Sequence, residues 1–138
     1  MHKLNTDLST ARNLLPALLF IVATVLSGLV YATDNNIRVI RVQLGDYHFM
    51  PVELQLVAEQ PVVLQLVNTD TFTPHNFTLE DPNHGLDVNV DILAGETVEV
   101  HLMPLWPGRH TFYCSNKLLF MDSHREKGMQ GTLIVVPK

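Results

Sequence analysis

Short stretches of alternating apolar and polar residues recur after Asn36, and they constrain the fold more than any other feature of the sequence. Residues 37–42 and 52–57 alternate with the period of two that is typical of strands with one buried face. The same signal continues along the chain, at residues 62–67, 76–80, 88–92, 97–103, 110–114 and 131–136. Seven or eight short strands at this spacing predict an all-β fold, either an antiparallel sandwich or a small barrel.

One long segment lacks this alternation. It extends from Ser115 to Gly128, directly after a predicted strand and shortly before the last one. We interpret it as a single loop, with room for one helical turn.

The first 32 residues have a different composition from the rest. They hold 19 hydrophobic residues, and Lys3 and Arg12 precede an uncharged run that ends at Ala32. A basic start, an apolar centre and small residues at a cleavage position predict an export signal. The alternative is a retained membrane anchor, because the apolar run is close to the shortest that crosses a bilayer. Both interpretations place the protein in the periplasm or another extracytoplasmic space, with membrane contact only if the segment is retained.

Residues 33–138 then form one predicted domain. They carry seven basic and thirteen acidic side chains. This excess of negative charge argues against a nucleic-acid partner, since binding to phosphates needs a basic face. A domain of this size can form a core without disulfides, and we expect it to be a monomer.

The single cysteine, Cys114, cannot form an intramolecular disulfide. It is therefore buried filler, an intermolecular link, a reactive thiol or a metal ligand. Its surroundings favour the role of metal ligand. Cys114, His124 and Met129 are spaced as C-x9-H-x4-M, and His75 lies upstream of them. Two imidazoles and a thiolate with a weak axial thioether hold copper that cycles between Cu(I) and Cu(II).

Several motifs around these residues occur in an order that resembles the cupredoxin (type 1, or blue copper) family. The motifs are His75-Asn76-Phe77, the approach from Pro107 to Cys114, Cys114-Ser115, and the closing segment from Met129 to Val135. The resemblance implies a Greek-key β-sandwich with one copper ion as cofactor. It implies four copper ligands: His75, Cys114, His124 and Met129.

Two details of the expected site stay open at this point. The loop between Cys114 and His124 is longer than in many blue copper proteins, and Met121 competes with Met129 for the axial position. By analogy with the family, Asn76 should hydrogen-bond near Ser115, and backbone N–H groups should point at the sulfur. Four other histidines follow residue 32: His48, His84, His101 and His110. They are expected on the surface or on strand faces. The alternative is that some of them form a second copper site.

The long loop also predicts a docking surface. Lys117, Arg125 and Lys127 are three of the seven basic residues after position 32, and an apolar quartet, residues 118–121, lies between them. An apolar patch with a basic rim suits transient docking of an acidic redox protein. In the alternative, the quartet packs inward and the charges only solvate the loop.

The resulting hypothesis is an exported electron-transfer protein and not an enzyme. The sequence has no His-x-His pair and no second domain with which to build a substrate copper site. Two alternatives remain: a copper-binding or copper-delivery protein in metal homeostasis, and an accessory oxidase of Fe(II) in an iron-uptake system.

Overall fold

The computed structural model describes residues 37–138, so the predicted export signal or anchor, residues 1–32, lies outside the described residues. The described part contains nine strands and one short 3₁₀ helix, Pro82–His84. The strands are β1 (Arg38–Gly45), β2 (His48–Met50), β3 (Glu53–Val57), β4 (Val62–Asn68), β5 (His75–Asp81), β6 (Leu86–Ile92), β7 (Thr97–Leu102), β8 (Gly108–Tyr113) and β9 (Gln130–Val136). Over this range, no helix is long and apolar enough to cross a bilayer.

The strands form two sheets, which confirms the predicted all-β fold class. One sheet has the order β2-β1-β4-β7, and the other has the order β3-β9-β8-β5-β6. All eight strands expected from the alternation are present, with ends within three residues of the expected positions. The long segment before β9 contains turns and neither helix nor strand.

Two pairings are parallel and therefore differ from a wholly antiparallel arrangement. Strand β1 pairs with β4, and β3 pairs with β9, both in parallel register. The cause is the path of the chain, which moves from the first sheet to the second at β3 and returns at β4. Parallel neighbours need such a crossover, whereas antiparallel neighbours can be joined by a short turn.

Strand β2 was not expected from the sequence, and it follows a tight turn. Gly45 pairs with His48, which leaves Asp46 and Tyr47 as a two-residue connection. Both have positive φ, 48° and 59°, as a type I′ hairpin turn requires. A tyrosine is uncommon in this backbone region, so the sequence lacked the usual Asn-Gly signal for a hairpin.

The core lies between the two sheets and is built from the apolar side of each alternating strand. Phe77 and Phe112 are completely buried and stack with ring centroids 5.1 Å apart, and Phe49 meets both of them edge-on. These three rings join β2, β5 and β8. They fix the relative position of the two sheets beside the strand ends that carry the candidate site.

Candidate metal centre

The antiparallel pairing of β5 with β8 brings the first two candidate ligands together. His75 is the first residue of β5, and Cys114 directly follows β8. Leu79 pairs with Phe112, so the start of β5 lies beside the end of β8. Both residues are fully buried.

His124 joins these two residues from the long loop. Its Nδ1 lies 3.1 Å from Nδ1 of His75 and 3.4 Å from Sγ of Cys114. The sulfur lies 4.0 Å from Nδ1 of His75. Two imidazole nitrogens and a sulfur thus converge on one small volume, and the His124 residue is only 8% exposed.

Backbone hydrogen bonds fold the loop back on itself and bring its other end to the cluster. The N–H of Cys114 donates to the carbonyl of Met129 over 3.0 Å, and the N–H of Met129 donates to the carbonyl of His124 over 2.9 Å. Met129 is completely buried, whereas Met121 is half exposed on the surface of the loop. Of the two methionines of the loop, Met129 is therefore the one that is buried and whose backbone is bonded to both Cys114 and His124.

Asn76 connects the His75 turn to the residue after Cys114, as expected from the sequence. Its side-chain amide donates to Oγ of Ser115 over 2.7 Å, and its Oδ1 accepts from the N–H of Ser115 over 2.7 Å. The backbone N–H of Asn76 points at Sγ of Cys114 from 3.3 Å. These three bonds hold the two ligand-bearing strand ends at a fixed separation.

Asp70 orients His75 and was missed by the sequence analysis. Its Oδ2 lies 2.8 Å from Nε2 of His75, and its Oδ1 accepts the backbone N–H of Asp46 over 3.0 Å. With the Nε2 proton donated to Asp70, the Nδ1 lone pair of His75 faces the sulfur and the second imidazole. Carboxylates commonly orient metal-binding histidines in this way.

Tyr47 covers the cluster from the β1–β2 turn. Its ring meets that of His124 edge-on, with centroids 4.8 Å apart, and Nζ of Lys127 lies 4.2 Å from its centroid. The left-handed backbone at Tyr47 is what aims the ring at the ligand loop. Uncommon backbone conformations of this type concentrate at functional sites.

Burial determines the protonation of the donors before any metal is bound. Desolvation raises the pKa of the Cys114 thiol, and backbone N–H groups of Asn76 and Asn116 oppose that rise only in part. Desolvation also lowers the pKa of His124, with a further contribution from His75. The metal-free centre at neutral pH therefore contains a neutral thiol and a neutral His124, and metal binding must displace the thiol proton.

The surface over the centre is apolar and open. A cavity of about 580 Å³ lies against His75 and His124. It is lined by residues of four loops, including Tyr47, Phe72, Leu93, Leu118 and Met121. Leu119 and Phe120 are almost completely exposed, so the alternative in which residues 118–121 pack inward is wrong.

The remaining histidines divide into two groups. His48 and His101 are exposed, as expected. His84 is partly exposed, and His110 lies on the buried face of β8, where it contacts Asp81; a strand-face position was one of the two expected.

The fold and the buried His–Cys–His cluster define a copper-binding β-sandwich of the cupredoxin type. The family model for the cupredoxin-like domain matches residues 16–135. The chain therefore belongs to the cupredoxin family.

Solved structures with the same fold include several copper proteins. Auracyanin B is 22% identical, with a TM-score of 0.58 over 72% of this chain and 89% of its own. Auracyanin A, a "blue" copper protein from Chloroflexus aurantiacus, is 24% identical, with a TM-score of 0.53 over 71% and 98%. The metal-binding domain of the Cu(I)-exporting ATPase CopA from Streptococcus pneumoniae is 21% identical, with a TM-score of 0.57 over 75% and 89%. No curated protein sequence gives a significant match.

The donor set fits the cofactor that the family implies, a single copper ion. Imidazole nitrogen and thiolate sulfur are preferred copper donors, and here they converge without a competing carboxylate oxygen in the cluster. The Nδ1 lone pair of His75 is aimed into the same space by the hydrogen bond at Nε2.

Proposed function

We propose that the protein is a type 1 copper electron carrier in which His75, Cys114, His124 and Met129 would hold the copper ion. The observation that carries this proposal is the convergence of two imidazoles and a thiol in a buried cluster, 3.1–4.0 Å apart. Copper bound there would accept and release one electron. The protein has the role of a carrier and not of an enzyme.

The surrounding residues suit this role because they hold the ligands in place. The Asn76–Ser115 bonds, the Asp70–His75 bond and the Cys114–Met129 backbone bond all restrain ligand positions in the metal-free chain. A restrained site needs little rearrangement when the charge of its metal changes. Burial of the sulfur also excludes water from the thiolate and protects it from oxidation.

We propose residues 33–138 as the cupredoxin domain and an extracytoplasmic location, with the periplasm as the compartment. The location rests on the export-signal pattern of residues 1–32. A ligated thiolate without a second cysteine is well suited to an oxidising compartment, since it has no intramolecular partner for a disulfide.

The first test is the optical and redox behaviour of the copper-loaded protein. We expect one copper per chain, an intense visible band from thiolate-to-Cu(II) charge transfer, and reversible reduction and reoxidation of that band. Absorption spectroscopy with voltammetry measures both properties. A protein that binds only Cu(I), stays colourless and passes the metal to an acceptor would contradict electron transfer.

That contrary outcome would favour copper delivery as the function. The specific observation behind this second candidate is the shared fold with a Cu(I)-bound domain of a copper-exporting ATPase. The exposed loop over the site would then serve as the surface from which copper is transferred. Both candidates use the same donors, so loss of binding in a ligand variant does not separate them.

The docking surface for a redox partner is proposed to be the loop from Lys117 to Lys127. His124 lies under it with 8% of its surface exposed, which gives a short path from the cluster to the outside. The four apolar side chains at positions 118–121 are exposed, and Lys117 precedes them and Arg125 and Lys127 follow them in the same loop. We propose an acidic protein partner, with charge steering the encounter and apolar contact holding the transient complex.

Salt should slow electron transfer to such a partner. We expect the association rate to fall about tenfold or more between low ionic strength and 0.5 M salt, because screening removes the steering attraction. Stopped-flow kinetics against an acidic redox protein measures the rate. The double variant Lys117→Gln/Lys127→Gln should show a lower rate and a weaker salt dependence, while the matched control Lys138→Gln at the far end of the sequence should behave as the parent. A salt-independent rate in the parent protein would contradict steering.

A further inference from the structure

A second cluster of ligand-type side chains lies away from the candidate copper centre. It consists of Asp81 at the end of β5, His84 at the end of the 3₁₀ helix and His110 on β8. Nδ1 of His84 lies 2.8 Å from Oδ1 of Asp81, and Nδ1 of His110 lies 2.9 Å from Oδ2 of the same carboxylate. The two imidazole rings have centroids 5.0 Å apart.

The two clusters occupy opposite ends of the same pair of strands. Strand β5 begins with His75 and ends with Asp81, a separation of about 20 Å at the usual rise of an extended strand. On β8 the order is reversed, with His110 near the start and Cys114 just past the end. The second cluster is therefore a separate site and not an extension of the first.

The cluster is buried on one side and open on the other. The His110 side chain is 5% exposed, whereas those of His84 and Asp81 are about one-third exposed. Among residues 37–138, no polar atom lies within hydrogen-bonding reach of the buried Nε2 of His110. Of the two ring nitrogens of His110, only Nδ1 therefore faces the other members of the cluster.

The backbone around the cluster is shaped to hold it. A Cβ atom at Gly108 would lie 2.9 Å from Nε2 of His110, so the glycine leaves room for the ring. Gly85 has a φ of 72° and ends the helix, and the N–H of Leu105 donates to the carbonyl of His84 over 2.8 Å. The three donors are thus positioned by β5, β8 and a turn that is fixed at both sides.

The carboxylate is available as a ligand. The hydrogen bond from His84 lowers the pKa of Asp81 and outweighs the opposing effect of partial burial, and the bond from His110 lowers it further. Asp81 therefore stays ionised at neutral pH and lies between two imidazoles. The two Nδ1 atoms approach different oxygens of this carboxylate, and the donor atoms of the three residues lie within 4.8 Å of one another.

We propose that Asp81, His84 and His110 form a binding site for a divalent metal ion of the zinc class. Two histidines and one carboxylate, with a coordination position left for water, are a common zinc donor set. On binding, the proton of each Nδ1 would pass to Nε2 of the same ring, so both imidazoles stay neutral and both Nδ1 lone pairs become available to the ion. Its approach is from the side of His84 and Asp81, where the cluster is exposed.

The test is a zinc titration of the protein whose first centre has already been filled with copper. Calorimetry should show one additional Zn²⁺ per chain, and NMR should show the imidazole nitrogens of His84 and His110 shifting while those of His48 and His101 stay unchanged. His84→Gln and Asp81→Asn should each weaken zinc binding by about 100-fold, since loss of even an orienting partner costs 10–100-fold. The visible copper band should be unchanged in both variants.

His101→Gln is the matched control, because it removes an exposed histidine outside the cluster. It should bind the additional zinc ion as the parent does. His84 and Asp81 are partly exposed, so their replacement leaves the core intact and folding can be verified by circular dichroism. The proposal is overturned if the copper-loaded parent binds no additional zinc, or if both cluster variants bind it as tightly as His101→Gln does.

Discussion

Replacing Cys114 with serine is expected to abolish the visible charge-transfer band and to weaken copper binding by at least about 100-fold. Loss of a residue that only orients a ligand costs about 10–100-fold in metal affinity, and loss of the ligand itself should cost more. The serine hydroxyl is similar in size to the thiol but is far harder to deprotonate. It therefore cannot supply the thiolate sulfur from which the charge-transfer band arises. The fold should persist, because the bond from residue 114 to Met129 uses the backbone N–H. Absorption spectroscopy and a copper competition assay measure the two effects.

The two methionines of the loop provide matched controls for this experiment. Met129→Leu should keep copper bound but move the reduction potential and the position of the band, because a weak thioether donor would be removed. Met121→Leu should leave both unchanged, since Met121 is half exposed and Met129 is the buried methionine of the loop. A Cys114→Ser protein that still shows the intense band would contradict the proposed ligand set.

Replacing Gly131 with alanine is expected to destabilise the fold by about 3 kcal/mol, at the upper end of the usual range for overpacking a core. The new Cβ would overlap the ring of Phe112 and would lie 2.5 Å from the carbonyl oxygen of Val52. That ring is completely buried and stacked on Phe77, so it has little room to move. Chemical denaturation monitored by circular dichroism measures the loss.

A double-mutant cycle separates this steric effect from a general effect of the substitution. Phe112→Leu alone should destabilise the protein by creating space in the core. In Gly131→Ala/Phe112→Leu the leucine side chain relieves part of the overlap with the new Cβ. The double variant should therefore lose less folding stability than the two single variants lose when their losses are added. Strict additivity would show that the ring does not limit the space at position 131.

The sheet content of the fold was predictable because each strand carries its own signal. Residues such as Val42 and Leu44 are buried on either side of an exposed Gln43, and this alternation is visible without knowledge of any partner strand. Pairing is a different property, since it depends on the path between strands. The parallel neighbours of β1 and β3 therefore do not follow from local pattern.

The candidate copper donors were predictable for a related reason, since three of them lie on one segment with a recognisable spacing. Asp70 and Tyr47 were not, because each reaches the cluster from a turn whose backbone conformation is set by tertiary contacts. The contact of Asp81 with His110 likewise spans 29 positions and depends on the register between β5 and β8. Nothing in the residues near Asp81 indicates it.

The parallel pairing of β3 with β9 determines when the copper centre can form during folding. Glu53 lies opposite Thr132, so this sheet closes only when the C-terminal strand has reached a strand made much earlier in synthesis. Folds dominated by such distant pairings close slowly, over about milliseconds to seconds for domains of this size. Met129 directly precedes that strand and fixes the backbone of Cys114. A nascent chain would present an unprotected thiol, and the buried centre would be complete only after β9 has paired with β3.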